Sequence, residues 1–410
     1  MTNNPLIPRS LAPILEGVAR DFPAVILTGP RQSGKTTLLG ELFGATHRVV
    51  SLEALDVRDS ARSDPRGFLS SFPPPVVYDE IQHAPFLLPY IKERIDSDRG
   101  AQGRFLLTGS QNILLMQEVS ETLAGRAAVL HLLPLAARER HGAADRALAW
   151  TNQIQPVSPP SAPKDAVSAW REILRGGYPE LWSDPHRDAW MWHESYLRTY
   201  IERDVRTLRQ VGDLGQFQSF VKATAARSGQ LLNLSELARD LGIAVNTAKL
   251  WISVLEASFQ VLVVRPYFAN VGKRLVKSPK LYWLDTGLLS HLVGLRDGEH
   301  AAQGPMSGAL FETFVVSEVH RSLTHAGTAA TLWFWRTATG SEVDLIVEHE
   351  GTLVPLEIKA TLTPRPAMAA GIEALKRDLG ARVAPGYVVH LGDATHPLGP
   401  NATALPVWSL

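Results

Sequence analysis

The sequence predicts a multidomain α/β protein that begins with a parallel sheet and ends with a second α/β domain. Three patterns predict this class. Short apolar runs at 24–28, 76–78 and 104–108 alternate with helical stretches, as in a parallel sheet covered by helices on both faces. A compact helix–turn–helix pattern with paired strands follows at 231–290. Alternating strand patterns return from residue 331 onward.

Composition sets the outer limits of this prediction. The chain has 410 residues, enough for about two to four domains. Its 41 basic and 41 acidic residues cancel, so any contact with nucleic acid must use a local patch. The absence of cysteine excludes disulfides, a cysteine nucleophile and thiolate metal sites. No secretory signal and no run of about 18 apolar residues is present, so we expect a cytoplasmic protein with no membrane contact.

The patterns divide the chain into five segments. A stretch with four prolines in 16 residues interrupts them and is typical of an exposed linker. The predicted segments are a sheet domain over 1–150, this linker over 151–166, a helical lid and connector over 167–227, a helix–turn–helix module over 228–290 and a final α/β domain over 291–410.

A phosphate-binding loop follows the first predicted strand. Residues 29–37 read GPRQSGKTT, which contains the spacing G-x-x-x-x-G-K-T. Its glycines let backbone N–H groups close around phosphates, while Lys35 reaches the β- and γ-phosphates and Thr36 ligates Mg²⁺. We therefore expect ATP or GTP to be bound by Gly29, Pro30, Arg31, Gln32, Ser33, Gly34, Lys35, Thr36 and Thr37.

The second predicted strand ends in two acids that complete such a site. Asp79 is expected beside the metal, and Glu80 is expected to polarise the attacking water. The third strand brings Ser110 and Gln111 to the same sheet edge, where they can contact the γ-phosphate or hold the water. An ordinary helix cap at Ser110 is an equal alternative.

Arg126 follows a glycine and precedes another β-run. Its guanidinium can insert as an arginine finger into the site of its own chain or of a neighbouring subunit. A surface arginine without such a role fits the spacing equally well.

These segments together resemble a known family. GPRQSGKTT, YDEIQHAP, LLTGSQN, LAGRAAVLHLLPL and RGGYPE are similar to the prokaryotic AAA+ ATPases that carry a C-terminal domain of unknown function. The resemblance runs over nearly all of the chain. It implies ATP as the nucleotide, a trans role for Arg126 and assembly as a homo-oligomer. It also implies that 176–180 and 200–208 belong to the helical lid and its connection to the next domain.

The pattern over 233–258 predicts a helix–turn–helix. Ser235 is expected to cap the first helix, Gly242 to make the turn, and Asn246 or Thr247 to cap the second helix. Two strands joined by a basic loop follow, which is the layout of a winged helix.

The charge of this module favours contact with DNA. Over 231–280, seven Lys and Arg against three acids give a balance of +4. The predicted phosphate contacts are the wing cations Lys273, Arg274, Lys277 and Lys280. The second helix carries only Lys249, so base-specific recognition is expected to be weak. A winged helix that serves as a protein–protein spacer is the alternative.

Acidic residues and a lysine alternate along a predicted hairpin over 341–361. Asp344 lies on its first strand, Glu357 and Lys359 share one face of its second strand, and Gly351 makes the turn. This pattern resembles the Asp…Glu-x-Lys arrangement of restriction-endonuclease-like nucleases, and it predicts that fold for the final domain. Asp344 and Glu357 would hold Mg²⁺, and Lys359 would orient or acidify the attacking water. A solvated sheet face is the alternative, although both acids stand between apolar neighbours.

Family resemblance adds Glu312 to this metal site, delivered by a helix that packs behind the hairpin. The whole sequence predicts an ATPase that engages DNA through a winged helix and cleaves it with a Mg²⁺-dependent C-terminal domain. Two alternatives stay open. In one, the chain is a nucleotide-switched interaction protein whose C-terminal fold is a binding platform. In the other, it is a simple nucleotide kinase, against which the length of the chain argues.

Overall fold

The computed structural model describes most of the chain. The described residues are 6–98, 100–110, 121–146, 148, 158, 159, 161–163, 165–200, 213–267, 277–328 and 330–410. Gln111, Lys273, Arg274, the connection at 201–208 and most of the predicted linker lie outside them. No helix within these ranges is both long enough and apolar enough to cross a bilayer.

The N-terminal part alternates helices and strands. In chain order these are α1 (Ala12–Asp21), β1 (Ala24–Gly29), α2 (Lys35–Phe43), β2 (Arg48–Ser51), α3 (Leu55–Ser63), α4 (Pro65–Ser71), β3 (Val76–Asp79), α5 (Leu88–Ser97), β4 (Phe105–Ser110), β5 (Ala127–His131) and α6 (Ala137–Arg140). The three strands predicted from apolar runs are all present. The short β2 was not predicted because only one of its four residues is buried.

The strands of this part form one parallel sheet in the order β2-β3-β4-β1-β5. Every residue of β1 is buried, since helices cover both faces of the sheet. Leu38 of α2 packs on one face and Ile91 of α5 on the other. Because parallel strands run the same way, β1, β3 and β4 all end at one edge, and this edge carries the predicted nucleotide site.

A helical segment follows the sheet, as the sequence predicted. It comprises α7 (Ala166–Arg175), α8 (Pro179–Ser183), α9 (Ala189–Tyr200) and α10 (Leu214–Ala225). The Asp165 side chain caps α7 by accepting the Ser168 N–H across 2.9 Å. Gly176 and Gly177 end this helix where Asp285 and Arg321 approach too closely for a side chain.

The central part contains β6 (Gln230–Leu231), α11 (Leu234–Leu241), α12 (Val245–Ala257), β7 (Val261–Pro266) and β8 (Lys280–Trp283). Gly242 makes the turn with a left-handed φ of 66°. The predicted caps were wrong. Asn233, not Ser235, caps α11 by accepting the Glu236 N–H, and α12 begins after Ala244 without a side-chain cap.

The last part contains α13 (Thr286–Leu292), α14 (Gly298–Gln303), α15 (Ser307–His325), β9 (Thr331–Arg336), β10 (Glu342–His349), β11 (Thr352–Ile358), α16 (Ala370–Leu379), β12 (Gly386–His390), β13 (His396–Gly399) and β14 (Ala402–Pro406). The last strand, β14, ends at Pro406, and 407–409 form a 3₁₀ turn. Proline cannot donate to a strand ladder.

The hairpin of the central part joins the C-terminal sheet. This sheet has the order β13-β14-β12-β11-β10-β9-β7-β8-β6, and β7 runs parallel to β9 through Arg265 and Trp333. Helix α15 lies behind it. Of its 19 residues, 13 are buried, and these include the ionisable residues Glu318, Arg321 and His325. A helix buried on all sides is a central packing element of its protein.

Candidate functional site

The phosphate-binding loop begins where β1 ends. Gly29 has a φ of 153° and approaches the Leu132 carbonyl so closely that a Cβ would collide with it. Gly34 has a φ of 94°, in the left-handed region that favours glycine, and directly precedes Lys35. Both glycines of the motif are therefore required by the backbone path of the loop.

Two side chains of the loop suit an anion. Lys35 is 5% exposed, and its Nζ donates to the carbonyls of Gly29 at 3.0 Å and Pro30 at 2.8 Å. The Ser33 hydroxyl is buried and has no hydrogen-bond partner among the described residues. A buried ammonium and an unpaired buried hydroxyl beside backbone N–H groups fit a phosphate group.

A cavity of about 360 Å³ adjoins the loop. Gln32, Gly34 and Thr37 line it from the loop side, and Ile7 and Pro179 line it from the opposite side. Apolar walls next to a phosphate-binding loop suit the base of a nucleotide.

The edge of the sheet supplies oxygen atoms next to the loop. Asp79 is 8% exposed and its Oδ1 accepts hydrogen bonds from Thr36 Oγ1 at 2.8 Å and from the Thr108 hydroxyl. The two residues predicted to hold Mg²⁺, Thr36 and Asp79, are thus in contact. A hydroxyl and a carboxylate are the oxygen ligands that Mg²⁺ prefers.

Glu80 follows with a strained backbone. Its φ of 60° lies in the left-handed region, and its N–H donates to Thr108 Oγ1 across 3.1 Å. The Gln82 side-chain amide donates both to the Glu80 carboxylate and to Ser110 Oγ, the latter at 3.0 Å. Glu80 and Ser110 therefore meet at one edge, as predicted. Gln82, which links them, was not predicted.

Arg126 lies away from the phosphate-binding loop of its own chain. Its guanidinium forms a bidentate ion pair with Asp96, with distances of 2.8 and 3.0 Å. Ala127 pairs with Ala24 at the start of β1, whereas the phosphate-binding loop follows the end of β1. Six residues of strand span roughly 20 Å, so Arg126 does not reach the loop of its own chain. The role of Arg126 in the site of its own chain is therefore wrong. Its insertion into the site of a neighbouring subunit stays a prediction.

The hairpin of β10 and β11 brings two carboxylates and one lysine together. Lys359 Nζ donates to Asp344 Oδ2 at 2.9 Å and to Glu357 Oε2 at 2.7 Å. The Ile358 N–H also donates to Asp344, at 2.8 Å. Asp344 and Glu357 are only 8% and 5% exposed. The hairpin therefore brings the three predicted residues into contact, with an ammonium between the two acids.

Burial controls the ionisation of this set. Burial, reinforced by the neighbouring Asp344, raises the pKa of Glu357 to about 8. Burial alone would lower the pKa of Lys359, but the two carboxylates outweigh it and raise that pKa. Gly371, at the start of α16, packs so tightly on Glu357 that a Cβ there would collide with the carboxylate.

Glu312, which the family resemblance added to this set, is held by two other side chains. Its Oε1 accepts hydrogen bonds from Tyr282 at 2.6 Å and from Lys280 at 2.9 Å. Within the described ranges, no three acidic or histidine side chains are arranged to hold a metal ion. Burial, followed by the charge of Asp344, raises the pKa of Glu312 despite Lys280.

The prediction of Lys280 as a wing cation was also wrong. It was expected as an exposed cation of the wing, but it is 4% exposed and also pairs with Glu342 at 2.7 Å. The continuation of β8 into the C-terminal sheet turns this side chain inward. Lys277 remains exposed.

Family models match three parts of the chain. An AAA domain matches residues 21–141. A domain of unknown function, DUF8612, matches 168–299, and another, DUF4143, matches 307–410.

Relatives extend over almost the whole chain. The uncharacterized proteins Mb2031c of Mycobacterium bovis and Rv2008c of Mycobacterium tuberculosis are each 33% identical over 402 residues, covering 97% of this chain and 83% of theirs. The Walker-type ATPase PABY2304 of Pyrococcus abyssi aligns with a TM-score of 0.45 and 16% identity over 70% of this chain and 99% of that one. The chain therefore belongs to the same family as the two mycobacterial proteins, and its residues 21–141 are an AAA domain, the nucleotide-binding domain of an AAA-type ATPase.

Proposed function

We propose that this ATPase engages DNA through its helix–turn–helix and hairpin, acting as a winged helix, and cleaves DNA with its C-terminal domain. The observation that carries the proposal is the position of Lys359 between Asp344 and Glu357. Two buried carboxylates that face one ammonium form a site for a divalent cation and a phosphodiester.

In the ATPase site, the proposed roles follow from the contacts. Thr36 and Asp79 would hold Mg²⁺, which neutralises charge on the phosphates when bound. Lys35 exchanges its two carbonyl partners for the phosphate oxygens of ATP. Glu80, held by Gln82 and the strained backbone, orients the attacking water.

In the C-terminal site, Asp344 and Glu357 would hold Mg²⁺, which activates water and polarises the phosphate when bound. The two carboxylates raise the pKa of Lys359, which favours a protonated side chain that donates hydrogen bonds. These hydrogen bonds orient the attacking water or bind a phosphate oxygen. Asp344, which already accepts from Lys359 and the Ile358 N–H, fixes the position of that ammonium.

DNA contact rests on exposed cations of the central part. Arg239, Lys249, Arg265 and Lys277 are all exposed. The outward face of α12 carries Val245, Asn246 and Lys249, which gives little capacity for bidentate contacts with bases. We therefore expect binding that depends on phosphates and falls steeply with salt.

The test is a cleavage assay with the full chain. Supercoiled, linear and single-stranded DNA are incubated with Mg²⁺, with and without ATP. We expect cleavage by the wild type and none by the double variant Asp344→Ala, Lys359→Ala, whose ATPase rate reports that it is folded. Cleavage that survives in this variant, or no cleavage of any DNA form by the wild type, would contradict the proposed nuclease.

A second candidate function has its own support. Glu312 is held by Lys280 and Tyr282, and Glu357 is covered by Gly371. These contacts occupy acids that a nuclease would need to bind a metal ion. They therefore favour a C-terminal domain that does not cut DNA and instead binds a partner protein under nucleotide control. Absence of DNA binding at low salt, together with ATP-dependent binding of a protein partner, would favour this candidate. DNA binding that weakens steeply with salt would favour the first.

A further inference from the structure

An arginine outside the AAA domain contacts the phosphate-binding loop. Arg9 is 8% exposed and its Nη1 donates to the Ser33 carbonyl at 2.8 Å. Its Nη2 donates to the Leu133 carbonyl at 2.6 Å, and its Nε lies 3.2 Å from Glu139 Oε1. One guanidinium thus joins the loop, the segment after β5 and helix α6.

The contact with Ser33 fixes one peptide plane of the loop. In a trans peptide the C=O and the following N–H point in opposite directions. Because Arg9 holds the Ser33 carbonyl, the Gly34 N–H points away from Arg9 and stays available to a phosphate. Gly34 itself lies in the left-handed region at φ 94°, so this orientation is not one that the chain adopts by default.

Glu139 holds Arg9 in place. Its Oε1 accepts from the Ser10 N–H at 2.8 Å as well as facing Arg9, and its Oε2 accepts from the Ala136 N–H at 2.9 Å. Burial alone would raise the pKa of Glu139, but the charge of Arg9 and further hydrogen bonds lower it. Glu139 is therefore ionised beside the guanidinium.

The third residue of this buried chain of contacts, His325, comes from the C-terminal part. His325 ends α15 and is fully buried. Its Nε2 accepts from the Leu133 N–H at 3.0 Å, and its Nδ1 lies 3.2 Å from Glu139 Oε1. An acceptor at Nε2 requires a neutral ring that carries its proton on Nδ1, and burial lowers the pKa of His325 accordingly. Nδ1 faces Glu139 Oε1 but lies outside hydrogen-bond geometry.

Further contacts fix α15 against the ATPase domain. The Glu318 carboxylate accepts from the Ala137 N–H and faces Arg140 at 3.4 Å. Arg321 Nη1 donates to the Leu135 carbonyl at 3.3 Å and to Glu318 at 3.1 Å. His325 is thus presented by a helix that is itself fixed at two points one turn apart.

We infer that Arg9, Glu139 and His325 are positioning residues of the ATPase site. Together they fix the conformation of the phosphate-binding loop through a buried chain of contacts that ends in the C-terminal domain. The ATPase activity of residues 21–141 therefore depends on a histidine from residues 307–410. Arg9 lines the cavity beside the loop, whereas Glu139 and His325 do not line it. Each acts through the orientation of the Ser33–Gly34 peptide and of the backbone at Leu133.

The experiment measures kcat and KM for ATP, affinity for a non-hydrolysable ATP analogue and thermal stability in full-length variants. Arg9→Ala and His325→Ala remove the contacts. Arg9→Lys keeps the charge with fewer donors. His325→Gln keeps an acceptor near the Leu133 N–H, and His325→Asn keeps a donor near Glu139. Ser228→Ala is the control, because it removes a buried hydrogen bond of 2.9 Å to Thr313 on the other half of α15.

We expect Arg9→Ala and His325→Ala to weaken analogue binding and lower kcat/KM by at least about tenfold. Arg9→Lys and His325→Gln should recover part of both, whereas Ser228→Ala should lower only the melting temperature. The inference is overturned if Arg9→Ala and His325→Ala, assayed well below their melting temperatures, keep the kcat and KM of Ser228→Ala. Should either alanine variant fail to fold, Arg9→Lys and His325→Asn decide, because Arg9→Lys has fewer donors and His325→Asn loses the acceptor for the Leu133 N–H. Wild-type kcat and KM in both would contradict a positioning role.

Discussion

Lys280 and Glu312 form an ion pair of 2.9 Å between strand β8 and helix α15. The pair ties the hairpin that follows the helix–turn–helix to the helix that borders the C-terminal carboxylates. Lys280 also contacts Glu342 at 2.7 Å, so one ammonium compensates two largely buried acids. The contact is structural, and it removes Lys280 from the set of cations that DNA can reach.

Replacing Lys280 with methionine should therefore destabilise the protein rather than weaken a DNA contact directly. The change leaves Glu312 without its cation and leaves Glu342 with Arg336 alone, at 3.5 Å. Breaking a buried ion pair costs about 3–5 kcal/mol of the free energy of unfolding. Thermal unfolding of the variant measures this loss. An unchanged melting temperature would contradict the buried pairing.

Lys277 provides the matched comparison, because it lies three residues away and is exposed. Lys277→Ala should keep the melting temperature of the wild type. If DNA binds here, its affinity should fall and the slope of log affinity against log salt should decrease by about one. Equal DNA affinity and equal salt slope in wild type and variant would exclude a phosphate contact at this position.

Glu80→Gln should keep ATP binding and slow hydrolysis by roughly two to four orders of magnitude, because the amide cannot accept a proton from water. Gln82→Ala should slow hydrolysis less, about tenfold, since Glu80 keeps its charge but loses its side-chain partner. Phosphate release and binding of labelled ATP separate the two steps. Normal turnover in Glu80→Gln would assign the water to another residue.

Arg126→Ala should lower turnover by roughly a thousandfold if the guanidinium completes the site of a neighbouring subunit. The decisive measurement mixes Arg126→Ala chains with Lys35→Ala chains. A mixed assembly contains intact phosphate-binding loops that face intact Arg126 side chains, so activity should return on mixing. Full wild-type activity in a dilute monomer, or no recovery in a mixed assembly, would leave Arg126 as the ion-pair partner of Asp96 alone.

The features that local spacing encodes were predictable from the sequence. The phosphate-binding loop needs its glycines at fixed positions, and the alternation of β11 places Glu357 and Lys359 on one face. By contrast, Arg9 and Glu139 are 130 residues apart, and His325 lies 192 residues beyond Leu133. Nothing in a single sequence marks such charged residues as buried, because arginine and glutamate are exposed in most proteins.

The predictions of Lys280 as a wing cation and of Arg126 as an arginine finger in its own chain were wrong for the same reason. Lys280 looked like a wing cation because its neighbours in sequence are basic, but its surroundings are set by Glu312 and Glu342 from distant elements. Arg126 looked like an arginine finger because it precedes a strand, yet strand direction places it at the far edge of the sheet. Sequence gives the type of element more readily than the direction in which that element faces.

His193 should make stability depend on pH. It is 2% exposed, its Nε2 donates to the Arg175 carbonyl at 3.2 Å, and burial lowers its pKa to about 4 despite the opposing charge of Asp285. Because His291 and Arg175 also lower this pKa, the folded protein binds the proton less well than the unfolded chain. Stability from this group is therefore complete above the unfolded pKa near 6.5 and is lost as pH falls toward 4.

The full loss corresponds to about 3 kcal/mol for a shift of this size. His193→Gln keeps a donor for Arg175 but has no titrating group. Melting temperatures of the wild type and the variant should therefore converge as the pH is lowered from 7 toward about 4.5. A constant difference over this range would show that His193 does not titrate in this way.

Gly371→Ala should impair the C-terminal site while sparing the ATPase. An added Cβ would meet both the Glu357 carboxylate and the Glu342 carbonyl, so either α16 or Glu357 must move. We expect any Mg²⁺-dependent DNA cleavage to fall at least about tenfold, because Glu357 loses its place beside Lys359 and Asp344. ATP hydrolysis should stay at the wild-type rate, since α16 packs on β10 and β11 of the C-terminal sheet. Gly308→Ala, which adds a Cβ in open space near the start of α15, is the matched control. Equal loss of cleavage in both glycine variants would mean that the packing of Gly371 on Glu357 is not what maintains the site.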